Sequence, residues 1–268
     1  RGSDFNYFLF ELPLFLTHII FGHYYDRKIS LLSDSKLNNL IFGRNFNQSV
    51  SELPQSLKYL TFGYRFNKDV SALPFSLTHL TFGNDFNQDV SVLPHNLIYL
   101  KFGCNFNQDV SRLPSTITHL IFGSHYSKDI PILPPFITHL TFGSHFNKDI
   151  STLPNFITHL TFGYGFNQQC VIPSNVKYLN LDCDNSCIVD SLPNHIIELE
   201  LGLNFKSAME NLPTSIKKLV ISKYSQYNKD LNCLPNFIEE LCLNRHYKKR
   251  ILNIPPNLKK LTCCENYP

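Results

Sequence analysis

The amino-acid sequence repeats itself at a strict interval of twenty residues from Leu53 to Pro173. One repeat runs from Leu93-Pro94 to Arg112, and Leu113-Pro114 begins the next. A short fixed period of this kind marks a solenoid, in which each coil buries its apolar side only against the neighbouring coils. The sequence therefore predicts a single elongated array whose core runs along the stack of coils.

The repeat can be followed through almost the whole chain. Taking the Leu of Leu-Pro, or its equivalent, as position 1 gives thirteen coil starts: Leu12, Leu32, Leu53, Leu73, Leu93, Leu113, Leu133, Leu153, Ile172, Leu192, Leu212, Leu234 and Ile254. Residues 1–11 fit the second half of a further coil, residues 12–171 form regular coils, and residues 172–268 form degenerate ones. We therefore predict one solenoid domain over residues 1–268.

Neither end of the sequence carries a polar segment of the kind that caps terminal coils in solenoids. The chain opens in the middle of a repeat and stops at Tyr267-Pro268 with the last coil unfinished. We therefore expect that the molecule continues, that another element covers these ends, or that the chain self-associates through them.

Each coil contains a short stretch in which apolar and polar residues alternate, as in a β-strand. In the coil around Leu80 and Phe82 these two side chains are expected to point inward, and His79 and Thr81 outward. Proline at position 2 removes a backbone N–H and favours an extended return segment over a helix. We predict a mainly β solenoid of about thirteen coils of roughly 20 residues, with one parallel sheet on one face and turns and extended segments on the other.

Glycine is almost confined to position 11, at the end of the predicted strand. It occurs there in ten coils, and Gly165 is the one glycine elsewhere. This confinement predicts either a backbone with positive φ or a close approach between neighbouring backbones.

Six apolar columns run along the predicted stack, at positions 1, 5, 8, 10, 14 and 18. The rings at positions 10 and 14 are open to two interpretations, a stacking surface for bases or sugars, or the core. We favour the core, because burying each ring contributes about 1.5–3 kcal/mol.

Two polar columns follow the second ring column. Asn at position 15 is expected to hydrogen-bond the turn backbone of the next coil. Asp at position 17 suggests either a cation-binding strip or the capping of turns on a solvated face. Neighbouring Lys68, Lys128 and Lys148 favour the solvated face.

Composition limits the partners and the compartment. The chain has 24 Lys and Arg against 21 Asp and Glu, with no strong excess in either half, so no nucleic-acid partner is expected. No apolar run approaches the roughly 20 residues that span a bilayer, so no membrane partner is expected. Eight Cys occur at spacings that do not pair up, seven of them from Cys170 onward, which is typical of thiols in a reducing, intracellular compartment.

Position 7 forms a row of rings on the predicted outer face of the strands. Stacked strands lie about 4.8 Å apart, and a straight row of His cannot converge on one metal ion, so no metal site is predicted. Every hydroxyl near a His recurs in neighbouring coils, whereas an active site has no reason to be copied. We therefore predict no catalytic residue, no cofactor and no enzyme activity.

The same row is our hypothesis for the partner-binding surface, because flat amphipathic rings lose little side-chain entropy when they anchor an interface. Its proposed members are Tyr59, His79, Tyr99, His119, His139 and His159. The alternative is that these residues merely suit β geometry.

The string Leu-Pro-x-x-Ile-Thr-His-Leu-x-Phe-Gly-x-x-Phe-Asn, seen from Leu153 to Asn167, resembles the FNIP repeat family. That family occurs in slime moulds and in giant viruses of amoebae, and is grouped with leucine-rich repeats. The chain is also similar to the short bacterial leucine-rich repeat, although Asn here follows a Phe at position 14 instead of preceding the next Leu. The resemblance implies a leucine-rich-repeat-like protein-interaction solenoid, located in the host cytoplasm or the virion if the chain is viral.

Three functions remain open on the sequence, and an enzyme ranks far behind them. A non-catalytic scaffold that binds an unidentified protein through the strand face leads. A structural or assembly component of a giant-virus particle is the second, because near-identical coils offer a repetitive surface. The family also implies a substrate-recognition part of an F-box ubiquitin-ligase adaptor, although no F-box is visible in these residues.

Overall fold

The computed structural model describes residues 12–263. The chain divides into two compact units, Arg1–Ile137 and Thr138–Pro268, and the boundary falls inside the predicted regular coils. The predicted partial coil at residues 1–11 and the unfinished end at Tyr267-Pro268 lie outside the described residues. The prediction of a single domain over the whole chain stays a prediction.

The described part of the first unit, residues 12–137, contains six short parallel strands, each hydrogen-bonded to the next in chain order. They are β1 His18–Ile20, β2 Asn39–Ile41, β3 Tyr59–Thr61, β4 His79–Thr81, β5 Tyr99–Lys101 and β6 His119–Ile121. Residues at the same position of successive coils are paired, so that His79 lies opposite Tyr99.

In the second unit, residues 138–263 form seven strands, again parallel and in chain order. They are β7 His139–Thr141, β8 His159–Phe162, β9 Tyr178–Leu181, β10 Glu198–Leu201, β11 Lys218–Ile221, β12 Glu240–Cys242 and β13 Lys260–Thr262. Each predicted coil contributes one strand, so the predicted mainly β solenoid is confirmed.

The return segments are turns and extended chain, as predicted, because Pro at position 2 sets a tight turn. Its carbonyl accepts a hydrogen bond from the N–H at position 5, for example from Leu77 to Pro74 at 3.2 Å and from Leu97 to Pro94 at 3.3 Å. The carbonyl oxygen of Pro therefore serves as the acceptor of the turn, and this hydrogen bond does not require the backbone N–H that Pro lacks.

Two helical turns depart from the predicted pattern of turns and extended chain. A single turn of 3-10 helix, Ser30–Leu32, occurs where the Leu-Pro pair is absent. A short helix, α1 Ser186–Asp190, replaces the usual loop after β9. The side chain of Asn185 caps this helix by accepting the Ile188 N–H at 3.3 Å.

The ring columns form the core, and the alternative of a base- or sugar-stacking surface is wrong. Phe102 is 1% exposed and Phe106 is fully buried. The two rings stack with their centroids 3.7 Å apart within one coil. The ring of Phe102 also lies 5.8 Å from that of Phe82 in the preceding coil. Burial leaves no ring face in these columns for a ligand.

The column weakens toward the last coil. Leu181, Leu201 and Ile221 replace Phe at position 10 and are buried, as their position predicts. Cys263 at the same position is exposed, and Leu261 in β13 is 41% exposed.

Glycine at position 11 is required by a close approach, and the alternative of positive φ is wrong. No described glycine has a positive φ. A Cβ atom placed on Gly103 would instead overlap the carbonyl oxygen of Gly83 in the preceding coil. The backbones of neighbouring coils meet too closely at the strand ends for any side chain.

The Asn column is a hydrogen-bond ladder that links the turns of successive coils. The side-chain oxygen of Asn87 accepts the N–H of Asn107 at 2.9 Å and the Gln108 side-chain amide at 3.0 Å. Asp26 does the same for Asn47 and Gln48, at 2.9 and 2.8 Å. The predicted structural role of the column is therefore confirmed. Because Asp26 can take the place of Asn, position 15 requires a side-chain acceptor oxygen and does not require an amide.

We expect Asn87→Ala to lower the free energy of unfolding by about 1–3 kcal/mol, because the half-buried Asn107 N–H loses its partner. Asn87→Asp keeps the acceptor oxygen and should recover most of this loss in a denaturant titration. Equal losses in both variants would show that the ladder depends on the amide donor instead.

The Asp column caps turns. The carboxylate of Asp109 accepts the Ser111 N–H at 3.0 Å and the Ser111 hydroxyl at 2.6 Å. These hydrogen bonds lower the pKa of Asp109. The pKa values of Asp69, Asp89 and Asp149 are lowered in the same way, by hydrogen bonds from the serine two residues later in each coil. The interpretation as a solvated capping face is favoured over a cation strip.

Candidate functional site

The outer face of the first unit carries four of the six predicted partner-binding residues in adjacent strands. They are Tyr59, His79, Tyr99 and His119, at the first position of β3 to β6. Their ring centroids lie 4.6, 5.8 and 6.2 Å apart along the row. Tyr59 is 42% exposed and the other three are partly exposed. The row is thus a shallow strip of rings above the buried Leu residues of the strands.

The second unit carries the other two predicted residues, His139 and His159, and adds Tyr178. The rings of His139 and His159 stack at 3.9 Å, and those of His159 and Tyr178 at 4.1 Å. Tyr178 is 39% exposed. The same period that predicted the first two residues also points to Tyr178, so this strip is three strands wide.

A threonine next to each histidine holds its ring in place. Nδ1 of His79 and His119 lies 2.9 and 2.8 Å from the hydroxyl of the preceding Thr78 or Thr118. In the second unit the corresponding bonds of His139 and His159 are both 2.9 Å. Rings fixed in this way lose less side-chain entropy when a partner covers them.

Partial burial favours the neutral form of the histidines in the first strip. Desolvation lowers the pKa of His79 and of His119, and the charge of His119 lowers that of His79 further. Folding therefore favours the neutral rings. The stability that they contribute is present above about pH 6.5, the ordinary His pKa, and is lost as the pH falls through the lowered values.

We expect the thermal midpoint to fall as the pH is lowered from about 6.5 to about 5, because the unfolded chain binds protons that the folded rings resist. The variant His79→Asn/His119→Asn should show a smaller fall over the same interval in calorimetric scans. An identical fall in both proteins would show that other groups cause it.

The family comparison identifies the repeat. The FNIP Repeat family model matches seven segments, residues 35–65, 49–85, 69–105, 86–125, 126–165, 149–184 and 166–204. Together they cover more than half of the 268-residue chain. The chain belongs to the FNIP repeat family. The predicted resemblance is thus confirmed, and no curated protein sequence matches the chain.

Solved structures resemble this FNIP chain in fold. CroV588, a circular LRR protein from a giant virus, has 32% identity and a TM-score of 0.75, covering 99% of this chain and 49% of CroV588. The chain therefore spans about half the length of CroV588.

Two bacterial proteins share the fold at lower identity. YopM from Yersinia enterocolitica has 21% identity and a TM-score of 0.58, covering 96% of this chain and 64% of YopM. The internalin InlF from Listeria monocytogenes has 18% identity and a TM-score of 0.57, covering 89% of this chain and 76% of InlF.

The strand face changes character toward the end of the segments that match the FNIP model. From β10 onward position 7 alternates between Glu198, Lys218, Glu240 and Lys260. Lys218 Nζ lies 2.7 Å from Glu198 and Lys260 Nζ lies 3.6 Å from Glu240. Sequence analysis missed this charged ladder, although the same period contains its signal. Such partly exposed pairs add little stability, about 0–1 kcal/mol each, and they end the strip of rings at Tyr178.

A groove of about 340 Å³ lies where the second strip meets the charged ladder. It is lined by His159, Thr161, Tyr178, Asn180, Glu198 and Glu200, with the buried Leu160 and Leu179 beneath. The groove is open and shallow, which suits a protein surface better than an enclosed small molecule.

No group of three or more His, Cys, Asp or Glu among residues 12–263 is placed to hold a metal ion. None of the described helices has the length and apolar character required to cross a bilayer.

Proposed function

We propose that this FNIP chain is a non-catalytic scaffold that binds a protein partner through the rings on its strand face. The observation that carries the proposal is the strip of Tyr59, His79, Tyr99 and His119, fixed on adjacent strands and partly exposed. Solenoids of this kind present extended surfaces to partners. Tyr and other flat rings are the usual anchors of such interfaces.

A second candidate is a structural component of a giant-virus particle. The similarity to CroV588 supports a viral context, with the protein in the host cytoplasm or the virion. The seven cysteines described are all free, which supports a reducing compartment. The F-box adaptor remains an implication of the family that no feature of residues 12–263 favours.

The substitution test uses Tyr99→Ser/His119→Ser in tagged protein. The variant should fail to capture the partner that wild type captures from the native source, and its thermal midpoint should stay nearly unchanged because both side chains are outside the core. Binding by wild type should also weaken below about pH 6, as the stacked His gain charge.

A matched control comes from the same two coils. Asn105→Ser/His125→Ser replaces exposed side chains on the edge beyond the strands, where Asn105 and His125 contact each other at 3.1 Å. This control should bind like wild type. Loss of binding in the control but not in Tyr99→Ser/His119→Ser would place the partner on the turn edge, the edge beyond the strands where Asn105 and His125 lie. Recovery of only further copies of this chain, or of a capsid protein, would favour the structural candidate.

A further inference from the structure

We infer that the second unit carries another interaction surface, which binds an acidic segment of a protein. It lies on the edge where the chain leaves β10, β11 and β12, away from the strand face. We call it the basic edge and define it as Lys206, Lys223, Lys229, Arg245, Lys248, Lys249 and Arg250. All seven side chains are exposed.

Cations from neighbouring coils converge at two points of the basic edge. At the first, Nζ of Lys223 lies 5.8 Å and Cζ of Arg245 lies 5.0 Å from the ring centroid of Tyr224. At the second, Lys229 and Lys249 line the same open groove of about 500 Å³. The ring of Tyr224 is 57% exposed, so it adds a flat contact beside the charges.

Lys206 is partly offset by Asp184, whose pKa the charge of Lys206 helps to lower, so the excess positive charge of the basic edge rests on the other six cations. None of the seven forms an ion pair among residues 12–263, whereas the ion pairs of this unit lie on the strand face. Asp230 and Glu210 line the groove, and Asp230 accepts the Asn232 N–H at 2.8 Å. Position 17, which is Asp in many coils, is Arg250 in the coil of β12. The edge therefore retains a strong local excess of positive charge.

The extent of the patch favours a short acidic segment over a long polyanion. The basic edge spans three coils, and coils lie about 4.8 Å apart. A few extended residues, at about 3.3 Å each, cover that distance. One coil further back the chain carries Asp182, Asp184 and Asp190, which would repel a nucleic acid that followed the array. Binding of single strands also uses successive stacking rings, and the patch has only Tyr224.

The test measures binding of a short, labelled poly-glutamate peptide by fluorescence anisotropy at low salt. Arg245→Ser/Lys248→Ser/Lys249→Ser should weaken binding about tenfold, because it removes three exposed charges that would pair with the carboxylates of the peptide. Lys223→Ser/Lys229→Ser, in the preceding coil, should act in the same direction. Added salt should weaken wild-type binding by screening.

The matched control is Arg65→Ser/Lys68→Ser/Lys128→Ser, which removes the same charge from exposed positions of the first unit. It should change the affinity less than about twofold if the site is local. Equal weakening in both triple variants would overturn the proposal, as would no binding by wild type. Binding of a uridine oligonucleotide or of phosphatidylserine vesicles without binding of the peptide would overturn it too, in favour of RNA or a membrane.

Discussion

Phe102→Ala is expected to lower the free energy of unfolding by about 3–5 kcal/mol, because it opens a cavity in the middle of the ring columns. Phe102 contacts rings within its own coil and in both neighbouring coils, with centroids 3.7 Å from Phe106, 5.8 Å from Phe82 and 6.0 Å from Phe122. Coils on either side cannot close the gap without giving up their own strand pairing.

The adjacent residue supplies the control. Lys101 is exposed on the strand face, so Lys101→Ala should cost less than about 0.5 kcal/mol in the same denaturant titration. Similar losses for the two variants would mean that the inward and outward positions are assigned one residue out of register.

Gly103→Ala is expected to cost about 3 kcal/mol or more, at the upper end of overpacking effects. The added methyl group would meet the backbone of Gly83, which cannot move aside as a side chain can. Nearby Asn84 has room for its own side chain, and Asn84→Ala should leave the thermal midpoint nearly unchanged. A Gly103→Ala protein as stable as wild type would show that neighbouring coils do not approach each other closely at the strand ends.

The repeat made most of the fold predictable from the sequence. A fixed period places every residue type in a column, so alternation within one coil, such as His79 outside and Leu80 inside, is confirmed many times over. The same regularity predicted the Asn ladder, because a polar column beside a buried ring column has only the next turn to bond to. The strip of rings at position 7 follows from the same register.

Features outside the repeat were not predictable in this way. Helix α1 lies in the coil that begins at Ile172, where Asn185 and Ser186 replace the usual Phe and Asn of positions 14 and 15, so the columns that would have predicted the loop are missing. A glycine column fits both a positive φ and a close approach, and only the structure separates the two. The charged ladder from Glu198 to Lys260 was not predicted, because position 7 was interpreted from its rings and charged residues replace the rings from β10 onward.

The basic edge depends on convergence between coils that degenerate from the repeat. Lys223 and Arg245 both stand five residues after the first residue of their strands, so the period alone places them on the same edge. The folded structure adds that both cations converge on the ring of Tyr224.

Histidine footprinting with diethyl pyrocarbonate and mass spectrometry tests the central claim most directly, once the captured partner is in hand. The protein carries its own reference residues, since His125 and His145 are exposed on the turn edge. We expect the partner to slow modification of His79 and His119, and of His139 and His159, while His125 and His145 react as before. Protection of His125 and His145 with no change at the strand-face histidines would contradict this claim.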